Sequence, residues 1–308
     1  MKKNYMFTPG PTMVPSEVLL AEAQPLIHHR TPEFSDILCE VMEGMQKLYG
    51  TAQEVYSFPG SGTAAMEAAI ANTCSPGDKA ICARGGKFGS RWAEICEAYG
   101  CSVVPIDMEW GESLGIAKTR KILEEHHDAR VLCITHSETS TGALTDVEAI
   151  GTLTCEHKAL LVVDAITSIG VHPVHMDGWG VDLMACGSQK GCMIPPGLAF
   201  IAASPRAWEV IESNDSPRYY LDMVKMRDKW ESGTTTPFTA AVSLTRALKK
   251  ALDMMFEEGL EKLHNRHARL AEATRTAMTA LGMELVAEDP VNGVTAVHAP
   301  DGIDTKEM

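Results

Sequence analysis

The chain has 308 residues, of which 45% are hydrophobic and 22% are charged, as in an ordinary globular protein with a sizeable core. This length corresponds to roughly two domains of about 150 residues each. The formal net charge of −14, without any run of basic residues, excludes a nucleic-acid surface as the expected function, because phosphates are neutralised by clustered Lys and Arg. An anionic membrane is an equally poor partner, and no apolar segment is long enough to span a bilayer.

The predicted elements begin after an N-terminal segment over residues 1–20, which contains several Pro and Gly residues. Apolar side chains at helical spacing predict a helix over residues 33–48, and an Ala-rich stretch predicts another over residues 64–71. Beyond these, short apolar runs alternate with helical stretches. Buried strands are predicted over residues 79–83, 102–106, 131–135, 160–164 and 183–186, and intervening helices over residues 91–99, 119–126 and 147–155.

This alternation predicts an α/β fold over residues 21–240, in which a mostly parallel sheet is covered by helices on both faces. A long connector helix over about residues 240–281 and two strands over 283–287 and 293–298 predict the start of a small C-terminal α+β domain, residues 241–308. Two strands are too few for an independent sheet. Asp304 and Glu307 resemble a capping box at the start of a further helix, so we expect this domain to be incomplete in the chain.

Nine cysteines are scattered along the chain without a Cys-x-x-Cys pair. Disulfide frameworks and zinc sites need regular spacing, so reduced, buried thiols are predicted, without a bound metal. Pro9, Pro11 and Pro15 interrupt any apolar stretch near the first residues, so no signal peptide is predicted there. These features together predict a cytoplasmic protein.

The first chemical motif is the turn Gly60-Ser61-Gly62-Thr63, directly before the predicted helix 64–71. Glycines allow a tight turn, and the free amide groups at a helix start attract a phosphate through hydrogen bonds and the helix dipole. The same residues also fit a plain glycine turn in which Ser or Thr caps the helix. A Walker A loop is excluded, because no Lys follows the last glycine at the required place.

Two further candidates follow predicted strands. Asp164 ends the strand 160–164, at the sheet edge where open α/β folds bind ligands, and its carboxylate could hold a protonated ring nitrogen or merely cap the next turn. Lys190 lies just beyond the strand 183–186, and both residues should emerge at the same edge. A partly desolvated lysine has a lowered pKa and attacks carbonyl groups, whereas most lysines are solvated surface residues.

A phosphate cradle, a strand-end aspartate and a strand-end lysine in this order match what pyridoxal 5'-phosphate requires. The phosphate anchors the cofactor, Asp164 keeps the pyridine ring protonated, and Lys190 forms a Schiff base with it. The sequence therefore predicts a pyridoxal-phosphate enzyme with Lys190 and Asp164 as catalytic residues.

The chain also resembles a known family over most of its length, from residue 7 to about residue 287. Its most specific match is Gly187-Ser188-Gln189-Lys190, followed by Pro195-Pro196-Gly197. The resemblance is to the serine-/alanine-glyoxylate aminotransferase group of class V, and it implies a fold-type I transferase with a seven-stranded-type sheet that works as a homodimer with shared active sites. The other matching stretches are Thr8-Pro9-Gly10-Pro11, His29-Arg30-Thr31-Pro32-Glu33-Phe34, Gly60-Ser61-Gly62-Thr63, His136-Ser137-Glu138-Thr139-Ser140-Thr141-Gly142 and Val163-Asp164-Ala165.

The resemblance implies which residues contact the cofactor phosphate. The residues expected to bind it from the same chain are Ser61, Gly62, Thr63 and Gln189. Thr236 and Thr239 lie in a loop with which the family reaches the phosphate of the neighbouring subunit. Tyr is frequent in the family where this chain has Thr236, so Thr239 fits that contact better.

Contacts with the cofactor ring and the substrate are also implied by the resemblance. Phe88 falls where the family stacks an aromatic ring on the cofactor, and the nearby Trp92 is a competitor whose helical spacing favours a core position. Thr139 would contact the ring edge, and Ile166 would pack on the opposite face. The candidate substrate contacts are Gly10 and Arg30, although the cluster His28-His29-Arg30 is better explained as a structural tie between the N-terminal segment and the partner subunit.

The function predicted from these features is amino transfer from serine or alanine to glyoxylate or pyruvate, with Lys190 moving the α-proton as general base. One alternative is another class V reaction, such as that of a cysteine desulfurase or β-lyase. A second alternative is a non-catalytic partner subunit of the same fold. The arginine that clamps the substrate carboxylate in the family is expected beyond residue 308.

Overall fold

The computed structural model describes residues 5–300 and 302–303, and it is built around a sheet of seven strands. In space the strands follow the order β1-β9-β8-β7-β4-β2-β3, and β9 runs antiparallel to both of its neighbours while the other pairs are parallel. The predicted α/β fold with a mostly parallel seven-stranded sheet is confirmed. The strands are β1 Val55–Gly60, β2 Lys79–Arg84, β3 Ser102–Asp107, β4 Val131–Thr135, β7 Leu160–Asp164, β8 Leu183–Gly187 and β9 Gly197–Ala203, with a separate hairpin of β5 Ser137–Glu138 and β6 Ala143–Leu144.

Helices cover both faces of the sheet. Successive strand residues point to opposite faces, so Ile81 belongs to the core beneath one set of helices and Cys82 to the core beneath the other. The first core includes residues of α2 and α9, and the second includes residues of α3, α4 and α7. The helices are α1 Ser16–Glu22, α2 Pro32–Tyr49, α3 Gly62–Thr73, α4 Lys87–Ala98, α5 Ile116–Glu125, α6 Val147–Thr154, α7 Pro205–Ser213, α8 Met223–Gly233, α9 Val242–Glu258 and α10 Leu260–Ala280.

Two predicted elements differ from the structure in their environment or length. The prediction of a buried strand over 102–106 is wrong in its burial, because β3 lies at the sheet edge and Ser102, Pro105 and Asp107 are exposed. The single connector helix over 240–281 is also wrong. Gly259, with φ 87° and ψ 132°, separates α9 from α10, because this backbone conformation does not continue a helix.

The predicted strands 283–287 and 293–298 do not form a sheet of their own. They meet at one antiparallel bridge, between Leu285 and Val297. The chain between them bonds elsewhere: Glu288 N donates to Gly111 O at 3.0 Å, and Val291 N donates to Gly142 O at 2.8 Å. The predicted boundary at residue 241 and the incomplete small domain stay predictions, and Asp304 and Glu307 lie outside the described residues.

The cysteines and the apolar segments follow the sequence expectations in part. All nine cysteines are free thiols and seven of them are buried, whereas Cys39 is half-buried and Cys155 is exposed. The prediction that all are buried is therefore wrong for these two.

Across the described residues, no helix combines the length and the apolarity that a bilayer crossing requires.

Candidate active site

Asp164 is the last residue of β7 and lies at the carboxyl edge of the sheet, as predicted from its place after an apolar run. Its side chain is buried, and Oδ1 accepts a 2.8 Å hydrogen bond from the Ile166 amide. Burial raises the pKa of this carboxyl to about 7, against the opposing effects of that hydrogen bond and of the Arg91 and Lys190 charges. A cation placed beside Asp164 would lower its pKa and so restore its negative charge. Asp164 can therefore cap the turn at Ile166 and also stabilise a positively charged ligand.

Lys190 follows β8 and is covered by the N-terminal segment. Its Nζ donates a 3.0 Å hydrogen bond to Pro9 O. Thr12 fixes the same loop, because its Oγ1 donates to Lys190 O and its amide donates to Gln189 O, both at 3.1 Å. Burial lowers the pKa of the Lys190 amine, while the nearby Asp164 carboxylate raises it. The Asp164 and Lys190 side chains therefore influence each other's pKa.

A cavity of about 250 Å³ opens beside Lys190. Arg266 of α10 also lines it, although the sequence places this arginine in no site. The Arg266 guanidinium forms two hydrogen bonds with the Glu258 carboxylate, from Nε at 2.6 Å and from Nη2 at 2.9 Å. The charge of this lining arginine is thus balanced by Glu258. Its other lining residues include Thr12, Thr167, Met193, His267 and Gly293.

The predicted phosphate cradle lies at the first turn of α3. Ser61 occupies the N-cap position, yet its side chain accepts no capping hydrogen bond, so the simple capping role does not hold for it. Thr63 Oγ1 accepts instead from Arg91 Nη1 at 3.2 Å. A helix N-terminus that is left without a capping side chain and lies beside an arginine is favourable for an anion.

Two other segments of the chain pack against this turn. A Cβ built on Gly62 would lie 2.5 Å from Ile166 Cδ1, and one on Gly187 would lie 3.0 Å from both Gly62 Cα and Gln189 Oε1. The Gln189 Oε1 atom is buried and has no hydrogen-bond partner among the described residues. Such an unpartnered buried acceptor is costly in a folded protein unless a ligand or water bonds to it. The structure therefore brings Gly62, Ile166 and Gln189 together, as the sequence predicts.

The first turn of α4 also lies at this site, because Arg91 of the same helix bonds to Thr63. Phe88 is half-buried there, and the Arg91 guanidinium carbon lies 4.7 Å from the centre of its ring. Glu138, which sequence reasoning did not assign, accepts from the amides of Phe88 at 3.1 Å and Gly89 at 2.9 Å. A carboxylate at a helix start is favourable and fixes where Phe88 sits. The competing Trp92 is fully buried and its indole donates to Ile134 O at 3.1 Å, so it is a core residue.

Thr139 lies directly after Glu138 and is also buried. Its hydroxyl is 2.6 Å from the Thr167 hydroxyl, which lines the cavity beside Lys190. The predicted Thr139 is thus joined to the loop that follows Asp164. The sequence signal for Glu138 and Arg91 existed only in the motifs around them, because Arg91 lies inside α4 and the strand that Glu138 ends has only two residues, both polar.

Arg30, Thr236 and Thr239 form a separate group. Arg30 Nη1 donates to Thr235 Oγ1 at 2.8 Å and to Thr236 O at 2.6 Å. Thr236 Oγ1 in turn donates to Phe238 O at 2.7 Å, and Thr239 is exposed. These hydrogen bonds favour the structural role of the His28-His29-Arg30 cluster. The loop lines a different cavity from that of Lys190, so the structure does not bring these residues to the lysine within one chain.

Comparisons with known proteins agree with this arrangement. The family model described as aminotransferase class-V matches residues 4–307. A soluble hydrogenase small subunit of Synechococcus sp. strain PCC 6716 is 45% identical, and the match covers 99% of this chain and 80% of that protein. A serine–glyoxylate aminotransferase of Hyphomicrobium methylovorum is 36% identical, covering 99% and 77%. The crystal structure of an alanine–glyoxylate aminotransferase from Nostoc sp. has a TM-score of 0.95 at 33% identity, covering 100% and 83%.

Proposed function

The chain is a member of the class-V aminotransferases, and we propose that it uses pyridoxal 5'-phosphate to transfer the amino group of serine or alanine to glyoxylate or pyruvate. The observation that supports this most is the pairing of Lys190 and Asp164 at one sheet edge. Lys190 carries a lowered pKa, and Asp164 is a buried carboxyl. The relatives named for serine and alanine suggest these two donors.

The residues present fit pyridoxal phosphate. The uncapped start of α3 with Ser61, Gly62 and Thr63 would hold the phosphate, and Gln189 Oε1, which lacks a partner, adds a buried polar atom at the same place. Thr139, Ile166 and Phe88 would contact the ring. When bound, the cofactor supplies a carbonyl carbon that takes up an amino group and a ring that accepts electrons.

Asp164 would hold positive charge in this site. Its buried carboxyl has a pKa of about 7, so a protonated ring nitrogen nearby would draw it into the charged form. The carboxylate and the ring cation then stabilise each other in a place from which water is largely excluded. The Ile166 amide keeps Oδ1 oriented throughout.

Lys190 would hold the cofactor carbonyl and, once displaced by the substrate, would move the α-proton. Burial lowers the pKa of its amine, which increases the uncharged fraction that can act as a nucleophile or base. The hydrogen bond to Pro9 O orients the amine toward the N-terminal segment, where Gly10 would meet the substrate. Arg30 could contact the substrate only if it gave up its hydrogen bonds to the loop around Thr236.

The residues of this site also argue against the two alternative functions, a desulfurase or β-lyase and a non-catalytic subunit. A desulfurase needs a cysteine that can reach the substrate, but Cys186 and Cys192, the cysteines closest in sequence to Lys190, are fully buried in the core. A non-catalytic subunit would not need both Lys190 and Asp164. We therefore favour amino transfer in a cytoplasmic homodimer whose sites each include Thr236 and Thr239 from the neighbouring subunit.

A half-reaction panel tests this function. The cofactor-loaded protein is mixed with single amino acids in the absence of an acceptor, and the cofactor absorption and the products are followed. Serine or alanine should change the spectrum and yield about one equivalent of its 2-oxo acid per site, and glyoxylate should reverse the change and yield glycine. Release of sulfide from cysteine, or of ammonia from serine, without amino transfer would favour the lyase alternative. A protein that reacts with no amino acid would favour the non-catalytic one.

A further inference from the structure

Arg91 of α4 carries a charge to which the described part of the chain offers no direct counterion. The residue is half-buried, and its guanidinium takes part in none of the ion pairs formed among the described residues. The buried Glu138 carboxylate lies at the start of the same helix, but it accepts hydrogen bonds from the amides of Phe88 and Gly89. A partly desolvated cation without a paired anion is unfavourable, so an anion that approached Arg91 would be stabilised there.

Two contacts hold the Arg91 guanidinium in place. Phe88 and Arg91 are three residues apart in α4, so their side chains are neighbours on the helix surface, and the guanidinium carbon lies 4.7 Å from the centre of the Phe88 ring. Its Nη1 donates a 3.2 Å hydrogen bond to Thr63 Oγ1 at the start of α3. A planar guanidinium can stack on a ring and still donate hydrogen bonds. Arg91 therefore connects the residue expected to stack on the cofactor ring with the turn expected to hold its phosphate.

The bond from Arg91 leaves the hydroxyl proton of Thr63 available for a further acceptor. A hydroxyl accepts through its oxygen and donates through its one proton. Thr63 Oγ1 accepts from Arg91, and no acceptor for its own proton is present among the described residues. Because a charged donor polarises the group that accepts from it, the Thr63 hydroxyl becomes a stronger donor. The Ser61 side chain makes no capping bond, so an anion at the start of α3 would complete this chain of hydrogen bonds.

We propose that Arg91 is a positioning residue of the phosphate subsite, which orients and polarises the Thr63 hydroxyl so that this hydroxyl donates to the cofactor phosphate. This role rests on the proposed function, which places the phosphate at the first turn of α3. Only hydrogen bonds form, and each proton stays on its donor. The phosphate, rather than the ring, is therefore the part of the cofactor whose binding depends on Arg91.

A comparison of two ligands tests the proposal. The full chain, freed of cofactor by dialysis, is titrated with pyridoxal 5'-phosphate and with pyridoxal, which lacks the phosphate. The dissociation constant of pyridoxal divided by that of pyridoxal phosphate, here called the phosphate ratio, measures what the phosphate contributes. We expect Arg91→Gln to lower the phosphate ratio about tenfold while pyridoxal binds as it does to the parent. The matched control is Arg227→Gln, because Arg227 of α8 also stacks on an aromatic ring, 4.2 Å from the centre of Trp208, and it should keep the parent's ratio.

A double-mutant cycle separates an effect through Thr63 from a direct effect on the phosphate. Thr63→Val removes the hydroxyl and keeps a branched side chain of similar size. In this background Arg91→Gln should change the phosphate ratio by no more than about twofold, because the hydroxyl through which the arginine acts is gone. Circular dichroism of each variant establishes that it is folded. Arg91→Met, which keeps the length of the side chain, replaces Arg91→Gln if the latter does not fold.

Several outcomes would overturn the proposal. If Arg91→Gln weakens the binding of both ligands equally, the arginine only supports the fold. If it lowers the phosphate ratio equally with and without the Thr63 hydroxyl, the guanidinium acts on the phosphate directly.

A further pair of outcomes distinguishes this proposal from the proposed function. If the parent binds pyridoxal phosphate far more tightly than pyridoxal and Arg91→Gln keeps the whole difference, Arg91 has no role at the phosphate and the proposed function stands. If the parent binds both ligands equally well, the chain has no phosphate subsite, and the proposed function fails together with the role of Arg91.

Discussion

The Nζ atom of Lys190 donates a 3.0 Å hydrogen bond to the carbonyl oxygen of Pro9, a residue 181 positions earlier in the chain. Thr12 bonds to the backbone of the same loop at Lys190 and Gln189. The N-terminal segment therefore covers the lysine and fixes the direction of its amine. A substrate that reacts at Lys190 would therefore contact this segment.

Replacement of Gly10 by Ala should slow the reaction with amino acids. The added Cβ would lie 2.5 Å from Lys190 Cδ and 2.6 Å from Cε, so either the segment or the lysine must move. We expect kcat/KM for the amino donor to fall about tenfold or more. Gly233→Ala is the matched control, because nothing lies within 4 Å of the Cβ it adds. Equal rates for the two variants would show that the segment does not position the amine.

Asp164→Asn should separate cofactor binding from turnover. We expect the cofactor to stay bound while turnover falls roughly a thousandfold, because a neutral amide cannot hold the ring nitrogen protonated. Titration of cofactor and steady-state rates measure the two effects. Near-normal turnover would mean that Asp164 acts only through its hydrogen bond to the Ile166 amide.

The same variant should change the pH dependence of stability without cofactor. Asp164 has a folded pKa of about 7, above its unfolded value near 4, so the folded state holds the extra proton between these values. The unfolding free energy from this group therefore falls as pH rises from about 4 to about 7. Asp164→Asn should remove that loss and raise the stability of the cofactor-free protein at pH 8 by up to a few kcal/mol. Denaturant melts at pH 5 and 8 measure this, and a variant that is destabilised at pH 8 would contradict it.

Much of the sheet could be predicted, because β2, β4, β7 and β8 are continuous apolar runs. The strands β1 and β9 are not among the predicted strands: β1 ends in Ser57-Phe58-Pro59-Gly60, which lacks such a run, whereas β9 is an apolar run that was overlooked. The break at Gly259 could not be distinguished from a tolerated helix glycine, since local sequence does not reveal its backbone angles.

In the candidate site, too, some residues could be predicted from the sequence and others could not. Asp164 and Lys190 were predicted because a residue that follows a buried strand has to emerge at the sheet edge. Pro9, Thr12 and Glu138 were not assigned, because their contacts with the site come from chain segments that only the tertiary fold brings together. Hydrogen bonds such as that from Thr12 Oγ1 to Lys190 O join residues 178 positions apart, and no local pattern marks them.

Acid should destabilise the protein through two buried histidines. Burial lowers the pKa of His136 to about 3 and that of His172 to about 4, so both stay neutral in the folded state while the unfolded chain takes up protons near pH 6.5. Their contribution to stability is present above pH 6.5 and is lost as pH falls toward 4, opposite in sign to that of Asp164.

The variant His172→Gln tests this effect. The unprotonated Nε2 of His172 accepts a 2.8 Å hydrogen bond from the Asn292 amide, which a glutamine oxygen can replace. We expect this variant to lose less unfolding free energy than the parent between pH 7 and pH 4.5, by about 1–3 kcal/mol. The exposed His28→Gln variant is the control and should follow the parent. Identical pH profiles for all three proteins would show that His172 is not held neutral.

Assembly should be required for cofactor retention. Phe7 is 98% exposed in the single chain, and Leu20 and Leu26 are exposed as well, and exposed apolar side chains of this size favour contact with a partner. If Thr239 reaches the phosphate of a neighbouring chain, dilution to monomers should release the cofactor, and Thr239→Ala should weaken cofactor binding about tenfold. Sedimentation together with cofactor fluorescence measures both, with Thr274→Ala on the exposed face of α10 as control. A fully loaded, active monomer would rule out the shared site.

Covalent trapping shows which lysine carries pyridoxal phosphate. The cofactor-loaded protein is reduced with borohydride, digested, and the modified peptide is identified by mass spectrometry. We predict that the pyridoxyl group is found on Lys190, at about one per chain, and that prior incubation with serine or alanine prevents its attachment. The label on another lysine such as Lys87 or Lys225, or no covalent label on a protein that binds the cofactor, would show that Lys190 does not carry it.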